Sequence, residues 1–260
     1  MRMSSSHSSS SFSDGCTSGE AQVGEMMSNN VSKIIGEEGV PEEAKKAYEA
    51  NYKAHRKGIT YDSMVKTYDE WAEKYDQDLC PGVYNGPELV ANALNQELDR
   101  EGKNKEDVRV LDVAAGTGRV GVELYKFGFR NIDALEPSEK MLHLLRQRNI
   151  YRKEWQDSIG FHQTKIQDDT YDYVASAGGM GEGHMPVTAI DEMIRIVKPG
   201  GLIVIVMREE YLSYVNEYVN KLEPHLSSLV AEGKCEKVSR TVVPNYCFNK
   251  NGVVFVYKVL

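Results

Sequence analysis

Three glycines and two acids stand where a nucleotide-binding loop would need them. The stretch "LDVAAGTGRVG" (111–121) carries Gly116, Gly118 and Gly121 in the G-x-G-x-x-G pattern. Glycines at such a turn let a ligand approach the backbone at a helix N-terminus. Asp112 lies inside the apolar run before them and needs a donor or a cation as partner. Beside a pyrophosphate it would repel, and beside an ammonium or a sulfonium it would help; the plain alternative is that it caps loop amides. Glu136 follows 18 residues after Gly118. An acid at that distance can accept both hydroxyls of a ribose, whichever adenosine cofactor carries it. Gln156 and Asp157 are short polar candidates for the edge of an adenine. "SAGGMGEGHMP" (176–186) is a glycine-rich bend that leaves room for a reacting group, with His184 inside it.

These positions need strand ends, and the hydrophobic rhythm supplies them. From Val108 onward short apolar runs alternate with helical stretches: "VRVLDVA", "IDALE", a weak strand near 151–156, "YDYVASA" and "LIVIVM". Helices are predicted over 118–127, over 138–148 with Ser138 as cap, and over 187–197, where "KPGG" ends the last as a turn. A long helix is predicted over about 209–231. "CEKVSRTVVP" and "GVVFVYKV" then read as a hairpin turning at Asn251-Gly252. This alternation implies an α/β fold, a parallel sheet with helices on both faces, closed by an antiparallel last strand. In such a sheet, ligands sit outside the carboxyl ends of the strands.

Before this region, a helix is predicted to start at Pro41, another to run over 62–76 and a third from Pro87 to about Leu98. In the second, Met64, Tyr68, Trp71 and Tyr75 form one stripe, either a cover over the site or simply core. Tyr84, in the loop that follows, is open to the same two readings. Residues 1–38 open with "MRMSSSHSSSSFSDG", too poor in aliphatics to offset ordering entropy, and are expected to be a disordered tail. The chain therefore divides into that tail, N-terminal helices over 39–100, and a cofactor-binding domain over 101–260.

A net charge of −8 argues against a phosphate-backbone binder and suits a cationic or amine-bearing partner. The four cysteines are far apart, without zinc or disulfide spacing, and no apolar run reaches membrane-span length. Reduced thiols, no membrane association and a cytoplasmic location are the expectations.

Taken in order, "VLDVAAGTGRVG", "ALEPSEKML", "YDYVASAGGM" and "RIVKPGGLIVI" resemble the motif set of class I S-adenosylmethionine-dependent methyltransferases, over about 108–207. That resemblance implies a Rossmann-like seven-stranded methyltransferase sheet. "YDEWAEKYDQDL" and "EGHMP" extend the likeness to the Williams–Beuren syndrome chromosomal-region methyltransferase-like proteins. The resemblance implies that Asp112, Ala114, Gly116 and Gly118 line the methionine part of S-adenosyl-L-methionine and that Glu136 holds its ribose. Pro137 and Met141 would lie near the adenine, Gln156 and Asp157 at its edge, and Ala177 and Gly178 beneath the sulfonium. Tyr68, Trp71 and Tyr75 would belong to a lid helix. The "NPPY"-type segment of many amino-group methyltransferases is replaced here by Ala177-Gly178-Gly179-Met180, and the clustered acids of metal-dependent relatives are missing, so metal independence is expected.

Methyl transfer needs alignment and exclusion of water, and a base if the acceptor carries a proton. His184 is the candidate base; the alternative is a histidine that only packs at the start of the next helix. The expected reaction is N- or O-methylation of a small molecule. Methylation of a protein or RNA, or a catalytically silent cofactor-binding regulator, are the alternatives.

Overall fold

The computed structural model describes residues 42–260. The serine-rich segment 1–38 and Pro41, on which expectations were placed, lie outside them. Three helices come first: α1 (Glu42–Ala54), α2 (Tyr61–Asp78) and α3 (Gly86–Glu101). Thr60 caps α2, its hydroxyl accepting from Ser63 N–H at 3.3 Å. Gly102 ends α3 in the left-handed conformation. One face of α3 buries Val90, Leu94 and Leu98 completely.

The alternating part contains β1 (Arg109–Val113), α4 (Arg119–Lys126), β2 (Asn131–Leu135), α5 (Glu139–Arg146), β3 (Tyr151–Trp155) and β4 (Tyr171–Ala177). It continues with α6 (Ala189–Ile196), β5 (Val197–Arg208), α7 (Tyr211–Tyr214), α8 (Leu222–Ala231), β6 (Cys235–Cys247) and β7 (Lys250–Val259). The seven strands form one sheet in the order β3-β2-β1-β4-β5-β7-β6. Strand β7 runs antiparallel to both neighbours and the other pairings are parallel. The antiparallel last strand is therefore as expected. Pairing sets Asp112 between Ala134 of β2 and Ala175 of β4.

Side chains alternate across the strands, so each strand feeds two cores. Val110, Tyr173, Leu202, Val204 and Val206 pack with α3 and α4 on one face. Leu111, Val113, Val174, Ile203, Ile205 and Met207 pack with α6 and α8 on the other. The apolar run of β5 is buried on both sides because helices cover both faces.

Three local expectations are corrected. The long helix over 209–231 is two pieces, α7 and α8. Pro224 lacks an N–H and is tolerated only in a first helical turn, which is where it sits in α8. Buried Tyr218 then holds the intervening turn inward, its hydroxyl donating to Met185 C=O at 2.7 Å. The hairpin turns at Phe248-Asn249, both at positive φ, while Asn251 and Gly252 lie within β7. "KPGG" belongs to the start of β5, where Gly200 at φ 83° accompanies a register shift against β4.

Candidate active site

At the carboxyl ends of β1, β2 and β4 lies a cleft of about 650 Å³, its open mouth included. The loop after β1 contributes Ala114 and Gly116, β2 leads into Leu135, Glu136 and Pro137, and β4 ends on Ala177 and Gly178. Met141 closes one side from α5, whose N-cap Ser138 accepts from Met141 N–H at 3.1 Å. Helix α2 lies across the top with Tyr61, Met64, Tyr68 and Tyr75 facing in.

Glu136 is the polar wall of the cleft. Gly116 N–H donates to Oε2 at 2.8 Å and Ser138 N–H to Oε1 at 2.9 Å. Two backbone donors thus fix the carboxylate while each oxygen keeps a lone pair. Burial pushes its pKa up to about 7, against those two hydrogen bonds. Gly116 has φ 55°, and a Cβ there would meet no protein atom within 4 Å.

Helix α2 is strapped to the two loops it covers. Asp69 Oδ1 accepts from Ser138 Oγ at 2.5 Å, and Asp76 Oδ1 accepts from Thr117 Oγ1 at 2.5 Å. Arg148 pairs with the other oxygen of Asp76. At the mouth, Tyr61 of α2 meets Phe161 with ring centres 4.4 Å apart. Replacing Asp69 and Asp76 together by alanine should raise the Kd of a cleft ligand about thirtyfold, two such bonds being worth roughly 1 kcal/mol each. Hydrogen exchange should accelerate in α2 and stay unchanged in β4; an unaltered Kd would show that the straps do not hold the cover.

Behind the cleft is a second, inner chamber, and Tyr68, Tyr75 and Gly178 line both. His184 stands at this junction, 8% exposed. Its Nδ1–H donates to Glu182 C=O at 2.8 Å, which leaves Nε2 as acceptor for the Tyr68 hydroxyl at 2.9 Å. The ring stacks on His55 with centres 4.6 Å apart. Burial pushes the pKa of His184 down to about 4 and that of His55 well below its usual value. His184 is thus in the site, but neutral and with both nitrogens engaged, so the ordinary histidine pKa expected of it does not hold.

Of the residues expected from the sequence, the structure brings Ala114, Gly116, Glu136, Pro137, Met141, Ala177, Gly178, Tyr68, Tyr75 and His184 into the cleft lining. Five are elsewhere. Asp112 is fully buried, its Oδ2 accepting from Tyr151 O–H at 2.6 Å, and that hydroxyl accepts from Gly121 N–H at 3.0 Å. It shares a sheet face with Val110, and the strand reaches the cleft two residues later, at Ala114. Gly118 packs on Tyr151 and Leu145, and a Cβ on Gly121 would lie 2.3 Å from the Tyr151 hydroxyl. Trp71 sits at the edge of the α2 stripe and is turned to Asp78, donating Nε1–H to Oδ2 at 2.7 Å. Gln156 is exposed, and Asp157 accepts from Ser158 N–H and bonds His162, both at 2.8 Å. Ser158 and Ile159 form that wall instead.

Several lining residues were not anticipated. Tyr61 continues the stripe one turn toward the helix start, so its period was legible. Phe161 and Ile159 lie in an irregular segment with no periodic signal. Tyr84, left open as core or cover, lines the inner chamber.

Residues 110–201 match the family described as a methyltransferase domain. Over that span the chain carries a methyltransferase domain of the class I, S-adenosylmethionine-dependent type. It is 31% identical over 169 residues to human methyltransferase-like protein 27, a match covering 65% of this chain and 66% of that protein, just under two thirds. Demethylmenaquinone methyltransferase of Chlorobaculum tepidum is 29% identical, over 62% of this chain and 69% of its own length. A solved S-adenosylmethionine-dependent methyltransferase of Leishmania major shares the fold with a TM-score of 0.55 and 16% identity, covering 80% of this chain and 89% of that one.

The cofactor of this domain is S-adenosylmethionine, and the cleft fits it. Glu136 presents a fixed carboxylate with lone pairs for a vicinal diol. Pro137, Met141, Ile159 and Phe161 offer apolar surface for an adenine, and Gly116 leaves open space beside Glu136.

Four buried titratable groups set the pH response of the ligand-free protein. Asp112, like Glu136, is pushed up to about 7 by burial. Between about pH 4 and 7 the folded state holds these protons more tightly than the unfolded chain, so stability falls as pH rises through 7. His184 and His55 act oppositely: below about 6.5 the unfolded chain takes up protons that they refuse. Stability should therefore rise by about 1–2 kcal/mol from pH 8 to 6.5 and then level off. Urea unfolding across that range tests this, and Asp112→Asn should remove about half of the rise; a flat profile from 8 to 6.5 contradicts it.

Proposed function

We propose that this protein transfers a methyl group from S-adenosylmethionine to a small-molecule acceptor bound in the inner chamber. The observation that carries the reading is the junction at Tyr68, Tyr75 and Gly178, where a cleft suited to the cofactor meets a second, smaller space of about 360 Å³, its mouth included. A space of that size, walled by tyrosine rings beside a strapped helix, suits a small acceptor better than a polymer chain. The name of the Chlorobaculum relative, demethylmenaquinone methyltransferase, also refers to a small-molecule acceptor.

The cofactor supplies a methyl group on a positively charged sulfur. Glu136, its carboxylate fixed by Gly116 N–H and Ser138 N–H, would hold the ribose through its free lone pairs. Gly178 at φ 73° lets the chain turn closely past this point; a Cβ there would lie 2.6 Å from the Tyr84 hydroxyl. His184 orients the Tyr68 ring by accepting a hydrogen bond from its hydroxyl. Tyr68 and Tyr75 exclude water between the two spaces, so positioning carries most of the rate enhancement. The lining histidines are held neutral and burial pushes the Tyr68 and Tyr84 hydroxyls well above their usual pKa, so neither type takes a proton readily at pH 7.

Incubation with methyl-labelled S-adenosylmethionine and a metabolite extract tests the reading. Label should appear in a small-molecule fraction. Transfer only to protein or RNA would replace it with a macromolecular acceptor, and tight cofactor binding without transfer to any pool would leave a regulatory protein.

A further inference from the structure

The inner chamber holds a charge that the sequence reading did not anticipate. Arg208, the last residue of β5, lines it with a side chain only 11% exposed. Its Nη1 meets Glu210 Oε1 at 3.2 Å on the outer side, and its guanidinium lies against the Cys247 thiol and 5.5 Å from the centre of the Tyr211 ring. Its Nε is buried and has no hydrogen-bond partner. Among the described residues lining the chamber there is no carboxylate, and Arg208 is the one full charge, since His55 is neutral. The remaining wall is chiefly aromatic, with Tyr68, Tyr84, Tyr211 and Tyr246. Glu210 pairs with one end of the guanidinium, and the buried Nε–H is left as an unused donor, costly until an acceptor completes it. The net charge of −8 does not oppose this, because exposed charges more than about 8–10 Å away are largely screened while Arg208 acts at contact distance.

We propose that Arg208 selects the acceptor: the inner chamber takes a small carboxylic acid, its carboxylate paired with the guanidinium and its apolar body against the tyrosine rings. The inference rests on the methyltransferase reading of the cleft and reverses the expectation of a cationic partner. An acid that enters ionised also suits a chamber whose histidine, His55, and tyrosines are poor proton acceptors.

Calorimetry on the whole protein separates the two claims. S-adenosylhomocysteine is titrated first, and failure to bind overturns the methyltransferase reading itself. The loaded protein is then titrated with benzoate and phenylacetate, with benzamide and with benzylamine. The acids should bind at least about tenfold more tightly than the amide or the amine. Arg208→Gln should abolish that preference and Arg208→Lys should keep it, with S-adenosylhomocysteine affinity unchanged in both. Amide or amine binding as tight as the acids, no binding of either acid, or a preference that survives in Arg208→Gln overturns the proposal. Should Arg208→Gln not fold, the Arg Nε–H NMR signal that disappears in Arg208→Lys decides: it must shift when benzoate is added to the wild-type protein, and a stationary signal overturns the assignment.

Discussion

Valine in place of Gly116 should abolish S-adenosylmethionine binding while the sheet stays folded. Gly116 follows β1 at φ 55°, lines the cleft, and has no protein atom within 4 Å of where a Cβ would stand. A branched side chain therefore displaces no protein neighbour. It occupies space beside the Glu136 carboxylate that the ligand needs. The folding cost is confined to a β-branched residue in the left-handed region, roughly 1–3 kcal/mol. Affinity should fall by at least a hundredfold, since the ligand would have to leave the cleft or tilt within it. Calorimetry with S-adenosylmethionine and a thermal melt measure the two halves independently. Gly121→Ala is the contrasting substitution: its Cβ would collide with the Tyr151 hydroxyl, so it should lower the melting temperature more than Gly116→Val. If Gly116→Val binds within threefold of the wild type, the cofactor is not in this cleft.

The two glycines differ because one faces the ligand and the other faces the fold, a distinction that pattern alone reaches only in part. The order of apolar runs and helical stretches from Val108 onward was enough for the parallel sheet, its closing hairpin and the strand ends where a ligand sits. The Ser138 cap and the α2 stripe were legible because each is a local, periodic or short-range signal. Asp112 shows where such reading stops. Its place in β1 was clear, but the face it uses depends on which neighbour meets it, and Tyr151 arrives from β3, 39 residues away. Trp71 likewise belongs to the stripe by spacing, yet Asp78 turns its indole aside. Arg208 is a different case. It is the first charge after the run "LIVIVM", at the carboxyl end of a central strand, and the rule applied to the earlier strand ends would have singled it out. The division of the expected 209–231 helix was also within reach through Pro224, whereas the inward pull of Tyr218 was not.

The largest effect of a single acid should be at Glu136, and it should depend on pH in the sense opposite to folding stability. Glu136→Ala removes the acceptor for the ribose diol and strips the amides of Gly116 and Ser138 of their partner. Two hydrogen bonds to a charged group are worth about 1.5–3 kcal/mol each, so the Kd for S-adenosylmethionine should rise by about a hundredfold or more. Glu136→Gln should lose nearly as much, because its amide nitrogen must face one of two backbone donors and one contact becomes donor against donor. In the wild type the carboxyl pKa is about 7 in the free protein. The ionised form accepts both hydroxyls, while the protonated form has one oxygen occupied by its own proton. Binding therefore releases a proton below pH 7, and the Kd should rise by up to tenfold per unit as pH falls from 7 to 5.5. His184, already neutral down to about pH 4, does not titrate in that window. The same protonation that weakens binding relieves the burial of an unneutralised carboxylate, so Glu136 contributes stability to the ligand-free protein over the range where it loses its hold on the cofactor. Calorimetry in two buffers of different ionisation enthalpy counts the released proton directly. A Kd constant between pH 5.5 and 8, or an equal slope in Glu136→Gln, would show that this carboxylate does not hold the ribose.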